Sequence, residues 1–280
     1  MTDQPSRFTS HRSPALQLPA GWQVPEFTVD EYAPRTTRHC VVIPVINEGT
    51  KFLRQVGAMA GADLGADIII ADGGSTDASM ANQELAMLGV RAKLVKTGPG
   101  GLSAQLRMAF AFALQQGYGG CVTIDGNGKD GWEAIPSFLA ALDEGYGFVQ
   151  GSRYVPGGEA INTPLDRHLA VRCLHAPLIS LAAGFRYTDT TNGFRAFSAG
   201  FLSDPRVAAF RDVFDTYNLH YYLAVRAPRT GYRVCEVPVR RAYPEKGKTP
   251  TKISGLRGRL RILRQLWTSV TGGYNPPGAK

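Results

Sequence analysis

Polar, charged and glycine residues directly follow several short apolar runs of the sequence, where buried strands would end. The run Val-Val-Ile-Pro-Val-Ile that begins at Val41 is followed by Asn-Glu-Gly. Carboxylates accept hydrogen bonds from hydroxyl and N–H groups, arginine binds phosphate oxygens, and glycine lets a ligand approach the backbone closely. This combination suits a nucleotide and its phosphates. The residues in such positions are Asn47, Glu48, Asp72, Gly73, Gly74, Asp125, Gly126 and Arg153.

The elements that would position these residues alternate along the chain. Apolar runs that begin near His39, Ala66, Arg91, Cys121 and Gly147 predict strands, and the segments 51–62, 75–88, 101–117 and 132–145 between them predict helices. This alternation predicts an α/β fold with a mostly parallel sheet and helices on both faces. Ligands bind such sheets beyond the carboxyl ends of the strands, so we expect these residues to meet at one rim.

The composition limits the classes of protein that fit. The chain has 280 residues, 44% hydrophobic residues, a net charge of +8 and a pI near 9.4, which favour a globular protein with an anionic partner. No nucleic-acid recognition module is visible, so we do not expect that partner to be nucleic acid. Four scattered cysteines, an N-terminal region without an apolar core and the lack of a spanning segment predict a cytoplasmic protein, either free or peripheral on the cytoplasmic membrane face.

Two common nucleotide-binding motifs are missing. The turn after the first predicted strand is Asn-Glu-Gly-Thr, whereas a dinucleotide-binding domain has Gly-x-Gly-x-x-Gly in that position. The sequence also has no Gly-x-x-x-x-Gly-Lys-Ser/Thr loop. The predicted site therefore does not belong to a dehydrogenase or to a P-loop NTPase.

Seven segments between about Arg38 and Gly258 resemble, in order, the motifs of family 2 glycosyltransferases, which have the Rossmann-like GT-A fold. Within that family the sequence is most similar to dolichol-phosphate mannose synthase and related polyprenyl-phosphate glycosyltransferases. Each motif alone is weak, and their common order carries the resemblance. The segments are VVIPVINE, IIIADGGSTD, GGLSAQLRMAF, TIDGNGKD, GSRYVPGG, DTTNGFRAF and EVPVRR with the later KTPTK.

The resemblance implies that the rim binds a UDP- or GDP-sugar donor. Glu48 and Asp72 would accept hydrogen bonds from the ribose hydroxyls and the base N–H groups. Both also suit local structure, because Glu48 would favour a helix start and Asp72 with Ser75 and Asp77 would form a turn and an N-cap. The full set predicted to bind the donor is Pro44, Asn47, Glu48, Asp72, Gly73, Gly74, Asp125, Gly126, Asn127, Lys129, Lys248 and Lys252.

The segment Ile-Asp-Gly-Asn-Gly-Lys-Asp departs from the family pattern. Relatives usually have Asp-x-Asp here, whose carboxylates hold Mg²⁺ or Mn²⁺ at the donor diphosphate. Asn127 replaces the second acid and Lys129 follows it. We predict a weakened Mg²⁺ or Mn²⁺ site held by Asp125 and Asn127, with Asp130 assisting. The alternative is that Lys129 itself supplies positive charge to the diphosphate.

The predicted catalytic residues are Arg153, Arg167 and Asp189. The resemblance implies that the two arginines hold a phosphate, which guanidinium groups bind in a bidentate manner. Asp189 stands where inverting relatives have a carboxylate near the reacting centre. It would act as general base towards a hydroxyl acceptor, whereas an ionised phosphate acceptor needs no base, and Asp189 would then orient or pair with an arginine.

The chain divides into three predicted parts. Residues 1–37 are expected to form an irregular arm, residues 38–254 the GT-A domain, and residues 255–280 a basic amphipathic helix and tail. In that helix, Leu256, Leu260, Leu263, Trp267 and Val270 recur at three- and four-residue steps between arginines. Such a stripe suits either docking on the protein's own core or an anionic membrane surface.

Three functions remain open from the sequence. The first is an inverting transfer of sugar to a polyprenyl phosphate or another membrane-proximal acceptor in the cell envelope. The second is transfer to a saccharide hydroxyl, as in capsule or O-antigen-type polysaccharide synthesis. The third is a catalytically inactive nucleotide-binding protein, which the altered Asp-x-Asp motif alone supports.

Overall fold

A computed structural model describes residues 9–11, 18–245 and 255–278. The strands are β1 (Thr9–His11), β2 (Phe27–Glu31), β3 (His39–Val45), β4 (Ala66–Asp72), β5 (Val90–Lys96), β6 (Gly120–Thr123), β7 (Phe148–Ser152), β8 (Glu159–Ile161), β9 (Arg195–Ser198), β10 (Val234–Pro238) and β11 (Arg240–Ala242). The α-helices are α1 (Thr50–Ala60), α2 (Asn82–Met87), α3 (Leu102–Gln115), α4 (Ile135–Asp143), α5 (Leu165–Ala170), α6 (Ala176–Ala183), α7 (Ala199–Ser203), α8 (Asn218–Arg229) and α9 (Gly255–Val270).

One sheet has the strand order β1-β2-β5-β4-β3-β6-β9-β7-β10. The strands β5, β4, β3 and β6 run parallel to one another, as do β7 and β10, whereas β2 and β9 run antiparallel to their neighbours. A small parallel pair, β8 with β11, lies outside this sheet. The predicted mostly parallel sheet with flanking helices is confirmed, and β3 lies near its middle.

The two faces of the sheet carry separate cores. Successive side chains of a strand point to opposite faces, so Cys40 and Val42 join the core under α3 and α8, while Val41 and Ile43 join the core under α1 and α4. Every residue of β3 but one is buried, which explains its continuous apolar sequence. A strand buried on both faces leaves only its ends to bind a ligand.

The prediction that residues 1–37 form an irregular arm is wrong in part, because this segment supplies β1 and β2 to the sheet edge. Strand β2 pairs antiparallel with β5, with Val29 buried opposite Leu94. The single helix predicted over 75–88 is also wrong. A loop is followed by a 3₁₀ turn, Ala78–Met80, and by the short α2. Asp77 caps the 3₁₀ turn by accepting the N–H of Ser79 at 3.2 Å, so side chains rather than helical bonds hold this backbone.

Helix α9 packs on α8 and α6 through a face that shares only Val270 with the predicted stripe. Leu266 is buried, and Ile262 and Val270 pack against the same core. Most of the predicted stripe lies outside, with Leu260 55% exposed and Trp267 62% exposed. The helix is therefore docked and also carries an exposed apolar stripe. Among the helices that the structure describes, none has the length and hydrophobicity to cross a membrane.

Candidate active site

The loops after β3 and β4 are joined side by side at the carboxyl ends of these strands. Asn47 has a positive φ of 51°, and its Oδ1 accepts the N–H of Thr76 at 2.8 Å and of Asp77 at 3.3 Å. Its own N–H donates to Ser75 Oγ at 3.0 Å. Asp77 Oδ2 in turn accepts the N–H of Gly49 at 3.0 Å. Asn47 thus holds the rim together, while Pro44 and Glu48 beside it are half-buried.

Asp72 ends β4 and is only 2% exposed. Its Oδ1 accepts the N–H of Gly74 at 3.1 Å, the N–H of Ser75 at 2.8 Å and the Ser75 hydroxyl at 2.7 Å. The predicted turn is therefore present. All three bonds use one carboxylate oxygen, and Oδ2 accepts none from the residues described here. A turn role and a ligand role can coexist in this side chain.

Close packing beneath the rim requires glycine at two predicted positions. A Cβ on Gly126 would lie 2.4 Å from Val45 Cγ1, well inside van der Waals contact. A Cβ on Gly73 would lie 2.8 Å from Nε2 of Gln105, which is fixed by its bonds to the carbonyls of Val45 at 2.9 Å and Ala71 at 3.0 Å. Gln105 of α3 ties the ends of β3 and β4 together, a role that its place in the sequence did not predict.

A second cluster lies beyond the end of β6. Arg241 donates through Nη2 to Asp125 Oδ2 at 3.0 Å and through Nη1 to Asp130 Oδ2 at 2.5 Å. Asn127 directs its amide nitrogen to Asp125 Oδ2 at 3.3 Å, and its oxygen accepts the N–H of Lys129 at 3.2 Å. The predicted ligands Asp125 and Asn127 are thus adjacent, but an arginine bridges the two acids.

As arranged, these residues do not fit a divalent ion. Burial raises the pKa of Asp125, but Arg241 outweighs burial and lowers it below its ordinary value. Burial raises the pKa of Asp130 in spite of Arg241, and its Oδ1 is buried without a hydrogen-bond partner among the described residues. Within the described ranges, no three carboxylate, imidazole or thiol groups could hold a metal ion together. A Mg²⁺ or Mn²⁺ site at Asp125 and Asn127 stays a prediction.

Three cations converge on the ring of Tyr243, which is 7% exposed. Lys129 Nζ and the Arg167 guanidinium carbon each lie 5.5 Å from the ring centre, and the Arg241 carbon lies 5.8 Å from it. Arg167 Nη1 also lies 3.5 Å from the Tyr243 hydroxyl. Burial would raise the pKa of Tyr243, but Arg241 outweighs it and lowers the pKa. Since Arg241 is paired with Asp125 and Asp130, Lys129 and Arg167 are the cations of this cluster that can bind phosphate groups.

Asp189 and Arg153 form a buried bidentate pair. Arg153 Nε donates to Asp189 Oδ2 at 2.6 Å and Nη2 donates to Oδ1 at 3.0 Å, with side-chain exposures of 2% and 0%. Burial raises the pKa of Asp189, but the Arg153 guanidinium outweighs it and lowers the pKa. Nη2 also donates to the hydroxyl of Thr191, whereas Nη1 makes no hydrogen bond to the described residues. The geometry supports arginine pairing by Asp189 over general-base action.

Further buried groups hold the loop 189–194. Arg195 donates to the carbonyls of Thr190 at 2.7 Å and Asn192 at 2.9 Å, and burial lowers its pKa to about 10. The Glu236 carboxylate accepts the N–H groups of Thr188 at 2.9 Å and Asp189 at 3.1 Å. These bonds fix the backbone of the loop and therefore hold Asp189 in one position.

Gly193 in the same loop lets the backbone approach the second cluster. A Cβ there would lie 2.8 Å from Asp125 Oδ1 and 3.8 Å from the His220 ring. Burial lowers the pKa of His220 to about 3, so the imidazole is neutral at pH 7. The loop 189–194 and the end of β6 thus meet at Asp125.

Five residues of this candidate site were not predicted from the sequence: Arg241, Tyr243, Gln105, Glu236 and His220. Arg241 and Tyr243 follow the strand β10, which is the signal that identified the other rim residues. Six predicted residues meet around Arg241 and Tyr243, whereas Asn47 and Asp72 lie on the neighbouring loops. The six are Arg153, Arg167, Asp189, Asp125, Asn127 and Lys129. Lys248 and Lys252 lie outside the described residues.

Comparison with known proteins identifies the family. The family model described as Glycosyl transferase family 2 matches residues 40–217. The chain belongs to glycosyltransferase family 2. It is 31% identical over 240 residues, covering 85% of the chain and 89% of the relative, to the polyprenol monophosphomannose synthase of Mycolicibacterium smegmatis. It is 28% identical over 220 residues, covering 78% of the chain and 88% of the relative, to the undecaprenyl-phosphate mannosyltransferase of Micrococcus luteus.

A solved structure of another protein supports the fold. The glucosyl-3-phosphoglycerate synthase of Mycobacterium tuberculosis, in complex with Mn²⁺, UDP and glucosyl-3-phosphoglycerate, matches with a TM-score of 0.54. The match has 20% identity and covers 87% of this chain and 82% of the other. The fold is GT-A-like, and the chain is a glycosyltransferase.

Proposed function

We propose that the protein transfers a sugar from a UDP- or GDP-sugar to a polyprenyl phosphate, with inversion at the anomeric carbon. The observation that carries this proposal is the convergence of Lys129, predicted on the donor side, and Arg167, predicted on the acceptor side, at Tyr243. Two cations around one ring suit a diphosphate facing a second phosphate. The polyprenyl-phosphate transferases among the relatives support this acceptor class.

The position of Arg167 supports a lipid rather than a free phosphate. Arg167 belongs to α5, whose Leu165 and Leu169 are 72% and 51% exposed. Asp166 of the same helix pairs with Arg259 of α9 at 3.6 Å, so α5 adjoins the helix with the exposed stripe of Leu260, Leu263 and Trp267. Exposed apolar side chains among arginines suit an anionic bilayer surface. We propose peripheral binding there, which brings the lipid phosphate to Arg167.

The chemistry needs no general base. A phosphate monoester is ionised at neutral pH, its second pKa being about 6. One of its oxygens forms the bond to the anomeric carbon while the bond from that carbon to the diphosphate oxygen breaks, and the electron pair leaves with the diphosphate. Arg167 would orient the attacking phosphate, Arg153 would offer Nη1 to it, and Lys129 would stabilise the leaving group. Because the residues present do not fit a divalent ion as arranged, no step is assigned to one.

The alternative hydroxyl acceptor has less support. It requires a base, and Asp189 has both oxygens engaged by Arg153 and no exposure to solvent. A catalytically inactive protein has no need for a cation cluster at the predicted transfer point.

The direct test is transfer from a panel of radiolabelled UDP- and GDP-sugars to a short-chain polyprenyl phosphate and, separately, to free saccharides. We expect label in the organic phase as a mild-acid-labile glycosyl phosphate, with the opposite anomeric configuration to the donor by NMR. Label that appears only in saccharide products would refute the lipid acceptor. Donor binding without transfer to any acceptor would support the inactive protein.

A further inference from the structure

Arg241 holds a fixed position between two carboxylates that lie far away in the sequence. Backbone bonds from the N–H of Ala242 to the carbonyl of Lys129 and from the N–H of Gly131 to the carbonyl of Arg240, each 2.9 Å long, set Arg241 opposite Asp130. The Arg241 side chain is 10% exposed and that of Asp130 is fully buried. Its guanidinium contacts Asp125 at 3.0 Å and Asp130 at 2.5 Å. Backbone pairing and burial therefore fix where the Arg241 side chain lies.

This guanidinium competes directly with any metal ion at Asp125. Hard cations need anionic oxygens with available lone pairs, and Asp125 Oδ2 already accepts hydrogen bonds from Arg241 and from the Asn127 amide nitrogen. Asn127, in place of a second acid, presents a donor to Asp125 rather than an additional ligand. A metal ion could bind there only after Arg241 had moved away and left its charge buried, which is costly.

The surrounding charges determine what Arg241 does for the donor. Without Arg241, the carboxylates of Asp125 and Asp130 would repel a diphosphate, which is the repulsion that a divalent ion removes. With Arg241 in place these acids are compensated, and Lys129 at Tyr243 can act on a diphosphate unopposed. The charge balance that a metal ion would provide is thus built into the chain.

We propose that Arg241 takes the electrostatic place of the divalent cation, so that the protein binds its nucleotide donor through Lys129 without a metal. This inference rests on the proposed function, since it concerns the same donor. It assigns Arg241 as a positioning residue that acts through Asp125 and Asp130.

The first experiment uses the unaltered chain. Calorimetric titration with UDP and GDP in excess chelator, and again with Mn²⁺ or Mg²⁺, should give dissociation constants equal within about twofold for the nucleotide that binds. Electron paramagnetic resonance should detect no protein-bound Mn²⁺ with nucleotide absent. Nucleotide binding that requires metal would overturn this inference and leave the proposed function standing. If neither nucleotide binds in either condition, both this inference and the proposed function are refuted.

The second experiment removes the Arg241 guanidinium and supplies Mn²⁺ in its place. Arg241→Gln leaves both acids uncompensated, so its affinity for nucleotide in chelator should fall about tenfold or more, and Mn²⁺ should bind the variant and restore that affinity. Arg240→Gln is the matched control, because the Arg240 side chain is 56% exposed and, within the described residues, forms an ion pair with Glu159 at 3.5 Å. It should behave like the parent. An Arg241→Gln variant that folds, by circular dichroism, and binds nucleotide equally well in chelator would overturn the inference. If that variant does not fold, the titrations of the parent decide it.

Discussion

Asp189→Asn tests whether the buried pair with Arg153 is a structural and electrostatic unit. The substitution keeps the shape of the side chain but removes the charge that both Nε and Nη2 contact, at 2.6 Å and 3.0 Å. Removing one partner of a buried ion pair leaves an uncompensated charge and costs about 3–5 kcal/mol. With a urea slope of about 3 kcal/mol per molar, the unfolding midpoint at pH 7 should fall by about 1–2 M.

The dependence on pH has a definite sign. Arg153 outweighs burial and lowers the pKa of Asp189 in the folded protein. A carboxyl with a depressed folded-state pKa contributes stability above its unfolded-state pKa, about 4, and loses it as the pH falls through the folded-state pKa. The difference between parent and variant should therefore be constant above about pH 5 and shrink below about pH 4.

The assay is urea unfolding followed by circular dichroism, without nucleotide, across this pH range. Glu159→Gln serves as the control, since its pair with Arg240 has 57% and 56% exposed side chains and should contribute less than about 1 kcal/mol. A loss below about 1 kcal/mol for Asp189→Asn at pH 7, or a loss unchanged at about pH 3, would refute the pair as described.

Four other predictions concern binding and transfer. Asp72→Ala should abolish the rise in melting temperature that UDP or GDP causes, and a retained rise would move the nucleotide base away from β4. Arg167→Ala should lower transfer to polyprenyl phosphate by about 10- to 100-fold and leave nucleotide affinity unchanged. The control Arg186→Ala, at an exposed arginine elsewhere, should leave transfer unchanged. An equal loss of transfer in both variants would exclude Arg167 as the acceptor contact. Asn127→Asp should strengthen Mn²⁺ binding to the Arg241→Gln variant, measured by electron paramagnetic resonance, because it adds an anionic ligand. No strengthening would exclude position 127 from the metal site. Joint Leu263→Ser and Trp267→Ser changes should weaken co-sedimentation with anionic vesicles about tenfold. The control Met87→Ser, at a residue of α2 that is 74% exposed, should not weaken it. Unchanged vesicle binding by the double variant would exclude this stripe as the membrane contact.

Local rules predicted the elements that are determined by neighbours in sequence. The β-branched run of β3 indicates a strand buried on both faces, and the polar residues after β3, β4 and β6 lie at the predicted rim. The same rules failed for β2, which pairs with β5 across more than sixty positions, and for 75–88, where Asp72, Asn47 and Asp77 hold the backbone in place of helical bonds.

The sequence by itself determined the parallel sheet, the rim of polar residues and, through its ordered motifs, the glycosyltransferase family. Only the tertiary structure decided which charges compensate one another. Arg241 lies 116 and 111 positions from the two acids that it bridges, and Asp189 lies 36 positions from Arg153. The apolar stripe of α9 likewise could not reveal which face docks, because that depends on α6 and α8. Periodicity and turn chemistry act over a few residues, whereas charge pairing in a buried site depends on distances in space that the whole fold sets.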